Sequence, residues 1–240
     1  MKTWLRFATF IIQVFVLVSS PCLGKNSSEI VRQRERNTIS LELEITRKTP
    51  SALQRVISFL NWGPNGYATG FLVGDHLVMT AYHVVSGNID ESKKLALGFN
   101  RTDELQARVY TNGCLAKVLK VDEAADLALL EVCGISRQVS SLSFQPNLNK
   151  DETLLLIARP HGDRVISHGT FSGPYSMNGV DYWSGKITAR DGFSGSPVYN
   201  ENGEIVGVFS GYDWTRSLAV ISPGTRAQKL LEEYSNTPRH

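Results

Sequence analysis

From Val56 onward the chain repeats one pattern: a short run of apolar and β-branched residues, then a turn built from Gly, Asp, Asn or Ser. The first series of runs is Val56–Phe59, Ala68–Val73, His76–Thr80, Leu95–Phe99, Ala107–Tyr110, Leu115–Val121 and Leu127–Val132. The second is Thr153–Ala158, Ile166–Ser172, Tyr182–Thr188, Pro197–Tyr199, Ile205–Phe209 and Leu218–Ile221. Many short strands at this spacing predict an all-β sandwich or barrel. The polar connection Gln138 to Asp151 separates two lobes, about 51–140 and 150–225. Only the C-terminus reads as a helix, at about 225–235: Thr225 caps it, and Ala227, Leu230, Leu231 and Tyr234 form a stripe at helical spacing. Residues 25–50 are charged and weakly patterned, apart from the alternation Ile39 to Ile45. They read as an N-terminal extension with one amphipathic strand, packed across the outside of the fold.

The first 24 residues follow another pattern. Lys2 and Arg6 precede an apolar run from Phe7 to Val18, and small and turn-forming residues lead to Gly24. That is the layout of a secretory signal peptide, and the run is too short for a membrane span, which needs about 20 apolar residues. Cleavage near Gly24 and a secreted or periplasmic destination are expected. Lipoprotein anchoring at Cys22 is the less favoured alternative, because Pro21 fits such a site poorly. Export also changes how the cysteines read. Without Cys22, Cys114 and Cys133 remain, in an oxidising compartment. Antiparallel strands joined at Asp122–Asp126 bring them side by side, and a disulfide there contributes about 3 kcal/mol in the chain-entropy model. The alternative is a pair of free buried thiols. Asn26-Ser27-Ser28 and Asn100-Arg101-Thr102 are glycosylation sequons, meaningful only in a eukaryotic secretory pathway.

Composition narrows the function by exclusion. The chain is 42% hydrophobic and 20% charged, as expected of a globular protein. A net charge of +2, with no long basic run, argues against nucleic acid as a partner. No pair of His or Cys at ligand spacing suggests a metal, and nothing suggests an organic cofactor. A monomer acting on a protein or peptide is the expectation.

Three short segments carry chemistry. Gly192-Phe193-Ser194-Gly195-Ser196-Pro197 lies between two strands, and its glycines and proline favour a tight turn over a regular element. Such a turn exposes a hydroxyl, which becomes a nucleophile only beside a base. His83 ends the apolar strand Leu77 to Tyr82 and precedes Val84-Val85-Ser86-Gly87. An imidazole there is half-buried beside a turn. Asp126 stands directly before Leu127-Ala128-Leu129-Leu130, where a carboxylate entering the core needs donors. Alone, each has an ordinary structural explanation: a loop, a satisfied histidine, a turn residue. Together they supply nucleophile, base and orienting acid.

In the order His83, Asp126, Ser194, these segments resemble the chymotrypsin-fold, trypsin-like serine proteases. The resemblance rests on Thr80-Ala81-Tyr82-His83, Asp126-Leu127-Ala128-Leu129-Leu130 and the serine hexapeptide. It is supported by the small-residue strand Ala68 to Val73 and by Ile205-Val206-Gly207-Val208, and it covers roughly residues 55 to 235. It is closest to the bacterial HtrA-type and glutamyl-endopeptidase-type branches. The resemblance implies two six-stranded antiparallel β-barrels with a C-terminal α-helix. It also implies a secreted serine endopeptidase working through an acyl-enzyme on Ser194. Gly192 and Ser194 supply the oxyanion hole, Ser210 supports Asp126, and Thr188, Ala189 and Phe209 line the substrate pocket with Ser210 beside it. No carboxylate falls at the pocket base, and Phe209 stands where glutamate-specific relatives carry histidine. A shallow pocket for small or medium apolar side chains is therefore expected.

Three departures qualify the resemblance. Phe193 replaces the aspartate that binds a freshly cut N-terminus in vertebrate-type members, so the site is expected to be competent without that ion pair. Tyr82 replaces a small residue. The chain stops soon after its last helix, so the peptide-binding (PDZ) domain of the HtrA type is expected to be absent. The competing reading is a catalytically inactive, protease-like binding protein on the same scaffold. Retention of all three groups counts against it.

Overall fold

In the computed structural model, residues 27–50, 63–135, 139, 142–177 and 179–237 are described. The leader with Cys22, Asn26 and the run Val56–Phe59 lie outside them.

Two β lobes and a C-terminal helix make up the fold. The first lobe is a seven-stranded antiparallel sheet, in the order β5 (Cys114–Leu115), β4 (Leu105–Thr111), β1 (Thr38–Arg47), β2 (Gly66–Gly74), β3 (Leu77–Thr80), β7 (Leu127–Glu131) and β6 (Lys117–Asp122). Its curved face encloses Leu41, Leu72, Val78 and Leu130, all without solvent exposure. The second lobe is a closed six-stranded barrel of β10 (Val180–Gly185), β13 (Leu218–Pro223), β12 (Ile205–Asp213), β11 (Pro197–Tyr199), β8 (Thr153–Ala158) and β9 (Val165–Met177). Leu154, Leu156, Phe171, Phe193 and Val206 fill it. A third cluster, including Phe71, Leu129, Tyr199 and Val208, joins the lobes. The two-lobed, mostly β fold with its C-terminal helix is the one the sequence leads us to expect. Among the described residues the first lobe carries one more strand than expected, and its end strands β5 and β6 are not paired to each other.

The segment before residue 50 differs from expectation. Its alternating run does form a strand, but β1 lies inside the sheet and not across its outside. Leu41 pairs with Ala68 of β2, and Leu43 with Val109 of β4. Leu41, Leu43 and Ile45 bury one face while Glu42 and Glu44 face the other way. Alternation specifies a buried face, and here two neighbours and not one satisfy the backbone. The preceding helix Ser27–Arg34 places Ile30 and Val31 in the inter-lobe cluster. Residues 27–47 are thus part of the folded body.

Two local expectations also change. Leu95–Phe99 is not a strand: Glu91–Ala96 is a short helix, because Asp90 Oδ1 accepts the Lys93 N–H at 2.9 Å and caps it. The last helix spans Gly224–Ser235 with Pro223 at its N-cap, so Thr225 lies within the first turn and does not cap it. Arg226 bonds from that helix to Asp122 through Nε at 3.0 Å and Nη2 at 2.9 Å, tying the helix to the first lobe. Cys114 and Cys133 form a disulfide. No helix among the described residues is long and apolar enough to cross a membrane.

Candidate active site

His83, Asp126 and Ser194 meet where the lobes face each other. His83 sits in the single turn Tyr82–Ser86 after β3, which Gly87 ends with φ 71°. Asp126 precedes β7 with φ 52°, a left-handed conformation that Asp tolerates better than most residues. The Asp126 carboxylate accepts the His83 backbone N–H at 2.8 Å through Oδ1 and the ring Nδ1–H at 2.8 Å through Oδ2. A carboxylate only accepts, so Nδ1 carries the imidazole proton and Nε2 has the lone pair. Nε2 lies 2.8 Å from Ser194 Oγ, which donates to it. Ser210 Oγ donates a third bond to Asp126 Oδ2. The acid is 14% exposed and the imidazole 33%, so the base is held yet reachable.

The Asp126 loop is fastened from the second lobe. Tyr182 Oη donates to the Ala124 carbonyl at 2.9 Å, and Ser222 Oγ donates to that of Ala125. Burial, then the nearby Asp126 and Asp122 charges, push the Tyr182 hydroxyl above its usual range, so it stays a donor. Tyr82, which the sequence left ambiguous, is half-buried beside the Glu123 carboxylate. Burial first, and that carboxylate next, raise its hydroxyl as well.

The serine turn is held mainly by backbone. Phe193 N–H donates to Arg190 O at 3.2 Å around Gly192, whose φ is 87°. An i to i+3 bond with positive φ at the third residue defines a type II turn, which favours glycine there. Ser196 N–H reaches Phe193 O at 2.9 Å, and Gly195 N–H reaches Phe209 O at 2.8 Å. A Cβ on Gly195, whose φ is 82°, would lie 2.1 Å from Thr80 Oγ1 and 2.2 Å from Thr69 O. The Phe193 ring is 2% exposed and stands edge-on to Phe209 in the barrel core. The Phe193, Gly195 and Ser196 amides of this turn are thereby used. Those of Gly192 and Ser194, on either side of Phe193, donate to no acceptor among the described residues.

Of the other expected site residues, Ser210 reaches Asp126 directly. Thr188 is exposed and its carbonyl accepts from Ser167 Oγ at 2.6 Å, Ala189 is partly buried, and Phe209 is 4% exposed within the barrel cluster. Sequence reasoning missed Tyr182, Ser222 and Thr69, whose contacts join segments far apart in the chain and leave no local motif.

The family model described as a trypsin-like peptidase domain matches residues 68–208. A probable periplasmic serine endoprotease, DegP-like, of Pseudomonas putida (strain W619) is 28% identical over 151 residues, which is 59% of this chain and 28% of that protein. Its counterpart from Hahella chejuensis is 30% identical over 149 residues, covering 59% and 29%. The chain thus spans less than a third of the length of these relatives. Among solved structures, an inactive mutant form of Rv3671c from M. tuberculosis H37Rv aligns with TM-score 0.57 at 17% identity. That alignment covers 92% of this chain and 97% of the other. The serine endoprotease from Yersinia pestis aligns with TM-score 0.58 at 16% identity, covering 88% and 66%. These structures share the two-lobed fold, and the matched segment contains His83, Asp126 and Ser194 in order; the chain belongs to the trypsin-like peptidase family.

Proposed function

We propose that this protein is a secreted or periplasmic serine endopeptidase. The observation that carries this reading is the unbroken hydrogen-bonded series Asp126–His83–Ser194 beside two amides that donate to no acceptor among the described residues. Ser194 Oγ attacks the substrate carbonyl carbon as its proton passes to His83 Nε2. Asp126 holds the ring and stabilises the imidazolium, with Ser210 sharing its charge. The carbonyl oxygen, now negative, accepts from the Gly192 and Ser194 N–H groups; one such donor is worth about 3 kcal/mol of barrier. Collapse breaks the C–N bond, and His83 returns the proton to the leaving amine. Water then repeats the sequence and releases Ser194. Relatives named as periplasmic serine endoproteases support both the reaction and the compartment. With no carboxylate among Thr188, Ala189 and Phe209, the substrate pocket suits small or medium apolar side chains.

An alkyl fluorophosphonate probe tests the reading. The folded protein, taken from Lys25 onward, should be labelled on Ser194, while Ser194→Ala should be unlabelled and leave casein intact. An unlabelled, folded wild-type protein that also leaves casein intact would overturn it in favour of a binding protein on this scaffold.

A further inference from the structure

Thr69 lies in β2, on the lobe opposite the serine turn, and has no solvent exposure. Every polar group it owns is engaged. Its N–H donates to Ser194 O at 2.9 Å, and its carbonyl accepts from Thr80 Oγ1 at 2.8 Å. Its hydroxyl donates to Gly192 O at 2.8 Å and accepts the Arg159 N–H at 3.0 Å. One side chain therefore connects the serine turn to the loop after β8, where Pro160 packs against Gly192.

The peptide planes show what this does. The plane joining Gly192 to Phe193 is held at its carbonyl by Thr69 Oγ1 and at its N–H by Arg190 O. The plane joining Ser194 to Gly195 is held at its carbonyl by Thr69 N and at its N–H by Phe209 O. A peptide plane pinned at both ends does not rotate. The plane between them, joining Phe193 to Ser194, is held at its carbonyl by the Ser196 N–H. It carries the Ser194 amide, and the plane before Gly192 carries the Gly192 amide, so these bonds set the direction of both.

We propose that Thr69 is a positioning residue: its buried hydroxyl, reaching across from the first lobe, holds the Gly192 carbonyl so that the unpaired Gly192 and Ser194 amides stay aimed at the substrate oxygen. This rests on the protease reading given above. Valine has nearly the volume of threonine but neither donates nor accepts. In Thr69→Val the Gly192 carbonyl and the Arg159 N–H lose their partner, and the turn gains freedom to rotate. Serine keeps the hydroxyl and gives up only the methyl group.

The test is saturation kinetics of fluorophosphonate labelling on wild type, Thr69→Val, Thr69→Ala and Thr69→Ser, with circular dichroism for folding. Misaligned donors slow the bond-forming step, so the maximal labelling rate of the valine and alanine variants should fall by about 10- to 100-fold. The half-saturating concentration should change less than about threefold, and Thr69→Ser should stay within about threefold of wild type. A merely structural threonine would instead make rate follow stability, with serine as damaged as alanine. A folded valine or alanine variant that labels at the wild-type rate overturns the proposal. So does a folded serine variant slowed tenfold or more, which can be read even if the other two fail to fold. Wild-type protein that does not label at all sinks the protease reading itself, an outcome distinct from either.

Discussion

The loop carrying Asp126 and the turn carrying Ser194 approach the same imidazole from different lobes, and they are held by different means. Around Asp126 the fasteners are side chains: Ser210, Tyr182, Ser222 and, one step removed, Arg226 on Asp122. Around Ser194 they are backbone bonds, two glycines at positive φ and one threonine. The difference follows from charge. A half-buried carboxylate needs donors and takes three, which orient it as they solvate it. A serine hydroxyl is neutral and small, and its usefulness depends on where the chain places it and on which amides remain free. Each lobe thus helps to place the other's candidate group: the barrel holds the Asp126 loop, and Thr69 of the first lobe adds two bonds to the serine turn.

This contrast can be broken from either side. Asp126→Asn removes the charge and keeps the shape. We expect kcat to fall by about 10⁴ with a melting temperature close to wild type, measured by peptide hydrolysis and calorimetry together. A drop below tenfold would mean that the loop's donors, not the charge, do the orienting. Gly195→Ala adds one methyl against Thr80 Oγ1 and Thr69 O in a left-handed conformation. Here the expected loss is in both readouts: about 2–4 kcal/mol of stability from strain and overpacking, and about 10²-fold in activity from the displaced turn. Unchanged denaturant midpoints would show that the contact relaxes at little cost. Ser210→Ala sharpens the comparison at its gentler end. Asp126 keeps both bonds to His83, so activity should fall only about tenfold, the lower end of what one hydrogen bond to a charged group is worth. Hydrolysis rates within twofold of wild type would reduce Ser210 to a bystander.

How much of this can be read in advance depends on how local the cause is. The three candidate catalytic residues each sit in a short segment whose neighbours announce it: a strand ending at His83, a strand beginning after Asp126, glycines around Ser194. The two lobes and the disulfide follow from the same short-range pattern. Thr69 does not, because its hydroxyl joins residues 90 and 123 positions away and nothing beside it in the chain hints at either. The placing of β1 is hidden for a related reason. Alternation at Leu41, Leu43 and Ile45 specifies a buried face but not which strands flank it. Where local signals compete, the nearer one prevails: Asp90 capping a helix outweighs the apolar spacing of Leu95, Leu97 and Phe99.

The position of β1 also bears on how the chain is made. Thr38–Arg47 is flanked by β2 and by β4, and β4 ends only at Thr111. At roughly 5–20 residues per second, β1 waits several seconds after its own synthesis for its second neighbour. Meanwhile Leu41, Leu43 and Ile45 are uncovered on a strand with an open edge, the kind of template that recruits other chains. A chain of this protein emerging N-terminus first, from the ribosome or across a membrane, is therefore at its most sticky early, before β4 flanks β1 and completes that part of the sheet. Conditions that slow elongation between residues 47 and 111 should cost yield more than the same delay in the self-contained second barrel.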